Sequence, residues 1–73
     1  MIYEAVFERA GDGGVWAYVP DLSGCTSWGK TLDEALENVR EAIGLWLENA
    51  RAAGEQAPRP ATIAAMAIEG PAA

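Results

Sequence analysis

A single long amphipathic segment, residues 31–53, most constrains what this chain of 73 residues can fold into. Helical spacing gathers its apolar side chains on one broad stripe and most of its charged side chains opposite. Thr31, with Glu34 three residues later, has the capping-box pattern of a helix start, and Gly54 predicts the helix end. The rest of the chain must therefore supply a surface to cover the stripe. The stripe consists of Leu32, Ala35, Leu36, Val39, Ala42, Ile43, Trp46, Leu47, Ala50 and Ala53.

The residues before the helix have the pattern of short strands joined by turns. Residues 2–9 alternate and are rich in aromatic and branched side chains, which predicts a first strand. The glycine-rich residues 10–14 predict a turn, and residues 15–19 predict a second strand that completes a hairpin. Residues 20–24, which begin with proline, predict a compact turn, and residues 25–28 predict a short third strand.

The predicted second strand is apolar on both of its faces. Val15, Ala17 and Val19 point one way, whereas Trp16 and Tyr18 point the other. The face away from the helix is therefore either covered by another chain or is a binding surface. Stacking on nucleic-acid bases is the alternative use of these aromatic side chains.

The residues after the helix predict a return to the sheet. Pro58 and Pro60 forbid a helix in residues 55–60, which read as an extended linker. Residues 61–69 fit either a weak helix or a strand, and we choose a strand because the linker is long enough to reach the sheet. The predicted order is β-β-β-α-β, a two-layer α+β unit in which one helix packs on an antiparallel-rich sheet. Residues 70–73 are predicted to be a disordered tail.

The size of the chain indicates one small domain, residues 1–69, with a marginal core. A chain this short buries only about 60% of its unfolded surface, and such domains usually need disulfides, a metal or a partner chain. Cys25 is the only cysteine and histidine is absent, so an internal disulfide is impossible and zinc is not expected. We therefore expect a homo-oligomer or a partner protein to supply the missing burial.

The net charge of −6 bears on the class of partner. Nucleic-acid binding draws affinity from Lys and Arg, so direct binding is not expected. The charge suits a basic partner, although an acidic surface that only keeps a small protein in solution explains it equally well. No signal peptide and no membrane-length apolar run are visible, so we expect a cytoplasmic protein and no membrane contact.

The residues offer no self-contained active site, so we predict a binding protein with no cofactor and no metal. Cys25 lacks a histidine base and is expected to be a small buried side chain. Four scattered carboxylates are the candidates for a Mg²⁺-dependent nuclease remnant, which stays open as an alternative together with a stand-alone oligomeric protein-binding module. They are Glu4, Glu8, Asp21 and Asp33, and their spacing is not that of a known ligand set.

Two motifs resemble a known family. Residues 20–25 read Pro-Asp-Leu-Ser-Gly-Cys, and residues 29–35 read Gly-Lys-Thr-Leu-Asp-Glu-Ala. With the glycine-rich hairpin, the aromatic second strand and the exit from Gly54 to Pro60, they resemble the HicB-like antitoxins of type II toxin–antitoxin pairs. The resemblance covers about residues 3–69, and the order and spacing of the pieces are more specific than any piece alone.

The resemblance implies a β-β-β-α-β fold likened to a partial, inactive RNase H core, assembled as dimers or tetramers. It also implies a partner, a HicA-like toxin, which is a small basic ribonuclease that cleaves mRNA with a histidine. The antitoxin binds this toxin and covers its active site. From their positions, we predict that the partner-binding residues are Tyr18, Asp21, Leu22 and Trp28.

The chain departs from the family pattern in three places. Ser23 stands where a second proline is usual, and Lys30 stands where an acidic residue is common. Many family members carry a C-terminal DNA-binding domain, whereas four residues follow Glu69 here. We therefore expect a short form that does not bind DNA by itself.

Overall fold

The computed structural model describes residues 1–64 and 66–71, and within them it contains three strands followed by one helix. Strand β1 is Val6–Arg9, β2 is Val15–Tyr18, β3 is Thr26–Gly29, and helix α1 is Leu32–Ala52. The sheet order is β1-β2-β3, and both pairs are antiparallel. The predicted α+β class and the order of its first four elements are confirmed.

Both ends of α1 carry the caps that its sequence predicts. The hydroxyl of Thr31 accepts a hydrogen bond from the amide of Glu34 at 3.2 Å. The Glu34 carboxylate accepts from the amide of Lys30 at 3.3 Å, one residue earlier than a capping box places it. Gly54 has a φ of +77°, and the amide after it donates to the carbonyl of Ala50 at 2.8 Å, which ends the helix in a Schellman motif.

The Thr31 cap gives a direct test of the helix start. Thr31→Ala removes the acceptor of an otherwise unpaired amide, and we expect the free energy of unfolding to fall by about 1 kcal/mol. Thr31→Ser keeps the hydroxyl and is expected to stay close to the native value. Urea titration followed by circular dichroism measures both variants. Equal stability of Thr31→Ala and the native chain would contradict the assigned helix start.

The core lies between the sheet and α1 and is small. Leu22 and Val39 are its largest fully buried side chains. Around it pack partly buried side chains from the N-terminal residues and the helix, including Phe7, Ile43 and Trp46. Because so few large side chains are fully enclosed, the fold has little reserve of hydrophobic stabilisation. The buried cluster consists of Ala17, Val19, Leu22, Cys25 and Val39.

The helix approaches β3 closely at Gly29. A Cβ atom built on Gly29 would lie 2.8 Å from the Cα atom of Ala35, so only glycine allows this approach. The side-chain amide of Asn38 donates to the carbonyl of Trp28 at 2.8 Å and joins the same two elements. Together these contacts fix α1 over one face of the sheet.

The apolar stripe of α1 is wider than the surface that covers it. Ala35, Val39 and Ala50 are buried as predicted. Leu32 and Leu36, however, are 56% and 43% exposed. A sheet of three short strands is too narrow to cover the whole stripe, so its N-terminal edge faces the surface.

The first strand is shorter than predicted because its partner ends early. The prediction began it at Ile2, whereas β1 begins at Val6, opposite Tyr18 at the end of β2. The next residue, Val19, donates its amide to the carbonyl of Cys25 at 3.0 Å, within the turn. Pro20, which has no amide to donate, then begins the turn, so β2 offers no continuing ladder to residues 2–5.

The predicted fourth strand is wrong for the residues that the structure describes. Residues 61–64 and 66–69 form no strand, and residue 65 lies outside the described residues. The amides of Ala61 and Thr62 donate to the carboxylate of Asp21, at 3.1 and 2.9 Å, instead of to a neighbouring strand. Of the predicted disordered tail, residues 72 and 73 also lie outside the described residues.

Candidate functional site

The sheet face turned away from α1, which we call the outer sheet face, carries two tryptophans and a tyrosine. In the strand register, Trp16 of β2 lies opposite Trp28 on one side and Glu8 on the other. Tyr18 lies opposite Thr26 and Val6 in the same way. Cross-strand partners point to the same face, so these side chains form one surface. The outer sheet face consists of Val6, Glu8, Trp16, Tyr18, Thr26 and Trp28.

The aromatic side chains of β2 are open to the surface although their neighbour is buried. Trp16 is 51% exposed and Tyr18 is 37% exposed, whereas Ala17 between them is 1% exposed. The predicted division of this strand into a core face and an outer apolar face is confirmed. Large exposed aromatic side chains grouped on one face are typical of a protein-binding surface.

A groove of about 530 Å³ runs along β2 and the turn that follows it. Trp16 and Tyr18 contribute aromatic walls, and Glu8 and Arg9 place two opposite charges at its border. A mainly apolar groove with a few charged groups suits an apolar side chain of a partner protein with a polar group beside it. The lining residues are Glu8, Arg9, 16–20 and 22–26.

The turn between β2 and β3 is held beside this groove by hydrogen bonds. The amide of Leu22 donates to the carbonyl of Val19, and the amide of Cys25 donates to the carbonyl of Leu22, at 3.1 and 3.0 Å. The indole Nε1 of Trp46 donates to the carbonyl of Ser23 at 2.9 Å, which joins the turn to α1. These hydrogen bonds tie the turn to β2 and to α1 and so restrict its freedom to change shape.

Cys25, in the same turn, has the environment of a structural side chain. It is 4% exposed, and burial raises the pKa of its thiol. A cysteine nucleophile is activated by the opposite change, a lowered pKa. The expectation that Cys25 is a small buried side chain is confirmed.

The four predicted contact residues do not form one surface. Tyr18 and Trp28 lie on the outer sheet face, and the Trp28 indole packs against Gly14, where a Cβ atom would lie 2.6 Å from its Nε1. Leu22 is 1% exposed, so its side chain belongs to the core. Asp21 is partly buried, and its carboxylate binds the two backbone amides that follow the linker.

Trp16 is the exposed aromatic side chain that the predicted contact set omits. Alternation along the second strand already placed Trp16 beside Tyr18 on the outer face, so the signal was present in the sequence. Glu8 joins the same surface through the β1–β2 register. Its place there depends on the pairing of two strands, which residue spacing alone does not give.

Residues 1–64 and 66–71 contain neither a group of side chains suited to a metal ion nor a helix suited to a membrane span. In this part of the chain, no three His, Cys, Asp or Glu side chains are grouped so that they could hold a metal ion. Helix α1, the helix of this part of the chain, has no stretch that is both long enough and apolar enough to cross a membrane.

Comparison with known proteins assigns the family. Residues 3–71 match the family described as the HicB-like antitoxin of bacterial toxin–antitoxin systems. The chain belongs to the HicB-like antitoxin family. The match includes all three strands, the helix and the turn beside the groove, and it confirms the resemblance seen in residues 20–25 and 29–35.

Three curated relatives of this HicB-like chain are named UPF0150 proteins. A UPF0150 protein of Synechocystis is 40% identical over 57 residues, which are 78% of this chain and 72% of that protein. One of Helicobacter pylori is 49% identical over 47 residues, 64% of each chain. One of Thermoplasma acidophilum is 39% identical over 59 residues, 81% of this chain and 86% of that protein.

Proposed function

We propose that this chain is the antitoxin of a type II pair that binds a HicA-like, mRNA-cleaving ribonuclease and covers its active site. The observation that carries the proposal is the match to the HicB-like antitoxin family over residues 3–71. Family membership also indicates a regulator and not an enzyme, and occlusion requires no catalytic group in this chain. Because the target cleaves mRNA, the proposal places the complex in the cytoplasm.

Charge supports a basic partner of this kind. The chain has eleven acidic and five basic side chains, and its net charge is −6. A ribonuclease surface that binds RNA phosphates is positively charged, so an acidic protein is attracted to it as the RNA is. Such complementarity speeds encounter and favours the correct orientation more than it adds to the final affinity.

The outer sheet face is the contact surface that we propose. Trp16, Tyr18 and Trp28 supply the aromatic anchors that dominate the energy of protein interfaces, and Glu8 adds a negative charge among them. Of the other two predicted contacts, Leu22 fixes the groove wall from the core, and Asp21 holds the residues after the linker.

Co-expression with the toxin tests this function. The toxin to test is any small, basic, histidine-containing protein that is encoded beside this gene, and its expression alone is expected to stop growth. Co-expression of this chain is expected to restore growth. A toxin inactivated at its histidine is expected to be retained by the tagged antitoxin at micromolar concentration. Absence of both rescue and retention would reject the proposed function.

A further inference from the structure

The residues after the linker form an extended segment that projects from the domain. Its base is held by the Tyr3 hydroxyl, which donates to the carbonyl of Pro58 at 2.6 Å, and by the Asp21 carboxylate. Beyond this base, Ile63, Met66 and Ile68 are 90%, 74% and 81% exposed. We call residues 61–64 and 66–71 the apolar tail.

The dimensions of the molecule show how much surface this projection leaves uncovered. The Cα radius of gyration is 14.1 Å and the longest extent is 49 Å, whereas a compact chain of this length has a radius of about 11 Å. The accessible surface is 5712 Å², against about 4,300 Å² for a compact monomer of this mass. The difference between these two surface areas is larger than the roughly 800 Å² that each partner buries in a standard interface.

The backbone of the tail and the β1 edge of the sheet both present hydrogen-bonding groups that have no partner in the described chain. No hydrogen bond joins residues 63, 64 or 66–71 to the rest of the described chain. Strand β1 is an edge strand, and its outer side has no neighbour in the sheet described here. An unpaired edge accepts an added strand readily, because each new backbone hydrogen bond satisfies groups on both chains.

Charge indicates a second copy of this chain as the occupant of that edge. Residues 60–68 contain no charged side chain. Two copies that each carry a net charge of −6 repel one another, so contact between them is favoured where charge is lowest. A basic toxin, in contrast, gains most from the acidic surfaces. The tail therefore suits self-association, and the outer sheet face suits the toxin.

We propose that the apolar tail of one copy adds as a strand to the β1 edge of a second copy, and that the exchange is reciprocal. The hydrogen bonds of Tyr3 and Asp21 remain within each chain and fix the point at which the tail crosses over. The result is a two-fold dimer in which the side chains of the tail become covered. The side chains of Met1 and Ile2, which are 76% and 80% exposed in the single chain, become covered as well. This inference does not depend on the identity of the toxin.

A charge placed within the tail tests the exchange. The native chain is expected to have twice the chain mass of 7.7 kDa by light scattering at micromolar concentration. Ile68→Asp is expected to raise the dimer dissociation constant at least about tenfold, because a carboxylate replaces a buried apolar side chain. Gln56→Asp adds the same charge to the exposed linker and is expected to stay dimeric. Circular dichroism of Ile68→Asp should match that of the native chain.

Amide hydrogen–deuterium exchange distinguishes a tail that pairs with a second copy from a tail that folds back onto its own chain. Protection of the amides of residues 66–68 is expected to rise with protein concentration. A native chain that stays monomeric, or tail amides protected equally at every concentration, would overturn the proposal. An oligomer that Ile68→Asp leaves intact would overturn it as well. None of these readouts involves the toxin, so failure here and failure of the proposed function are separate results.

Discussion

Gly29→Ala is expected to lower the free energy of unfolding by about 2–3 kcal/mol, a large share of the stability of so small a domain. The added methyl group would meet the backbone of Glu34 and Ala35, which cannot move without displacing the first turn of α1. Since α1 covers the core from that side, the displacement also opens the contact between Ala35 and β3. Urea unfolding followed by tryptophan fluorescence measures the effect.

The matched control is the same substitution at Gly44. This glycine lies on the exposed side of α1, and a Cβ atom there has no neighbour within 4 Å. Alanine is the better helix former, so Gly44→Ala is expected to raise the free energy of unfolding by about 0.5–1 kcal/mol. If the two glycine-to-alanine substitutions change the free energy of unfolding in opposite directions, the loss at Gly29 comes from a steric clash and not from the conformational preference of alanine. A Gly29→Ala variant as stable as the native chain would contradict the close approach of β3 and α1.

Trp16→Ala is expected to weaken binding of the toxin about 30-fold, which corresponds to about 2 kcal/mol at the centre of an interface. Trp16 is 51% exposed, so its truncation removes little of the core. Binding of the catalytically inactive toxin, measured by calorimetry, gives the change in affinity. Urea unfolding of the same sample shows that the variant is folded.

Leu45→Ala is the control for this surface. Leu45 is also a large exposed apolar side chain, 60% accessible, but it lies on α1 and not on the outer sheet face. We expect its affinity for the toxin to stay within about twofold of the native value. If Leu45→Ala weakened binding more than Trp16→Ala, the contact surface would have to be moved from the sheet to the helix.

The helix could be predicted from the sequence to within one residue at each end. Its signals are local: the capping threonine, the glycine stop and a periodic apolar stripe all act within residues 31–54. The order of the three strands and the β1–β2 hairpin followed from alternation and turn residues, which are also local. Strand lengths did not follow, because a strand extends only as far as its neighbour can pair with it, as β1 shows at Val6.

The site could be predicted in part for the same reason. Alternation placed Trp16 and Tyr18 on one face of a strand, and both are exposed there. The roles of Leu22 and Asp21 depend on the folded turn and on residues about 40 positions away, and no local pattern reports such contacts. The predicted fourth strand is wrong for the described residues of 61–69, because sequence spacing indicates that a segment can form a strand but not which sheet edge it can reach.

We propose that this chain neutralises a HicA-like ribonuclease by covering its active site, and a titration of RNA cleavage measures that neutralisation. A fixed amount of the purified toxin cleaves a labelled mRNA while this protein is added in steps. We expect cleavage to fall in proportion to the protein added and to stop at a fixed ratio of chains, and we expect Trp16→Ala to require more protein. Cleavage that continues unchanged at a roughly tenfold molar excess, well above the expected dissociation constant, would contradict it.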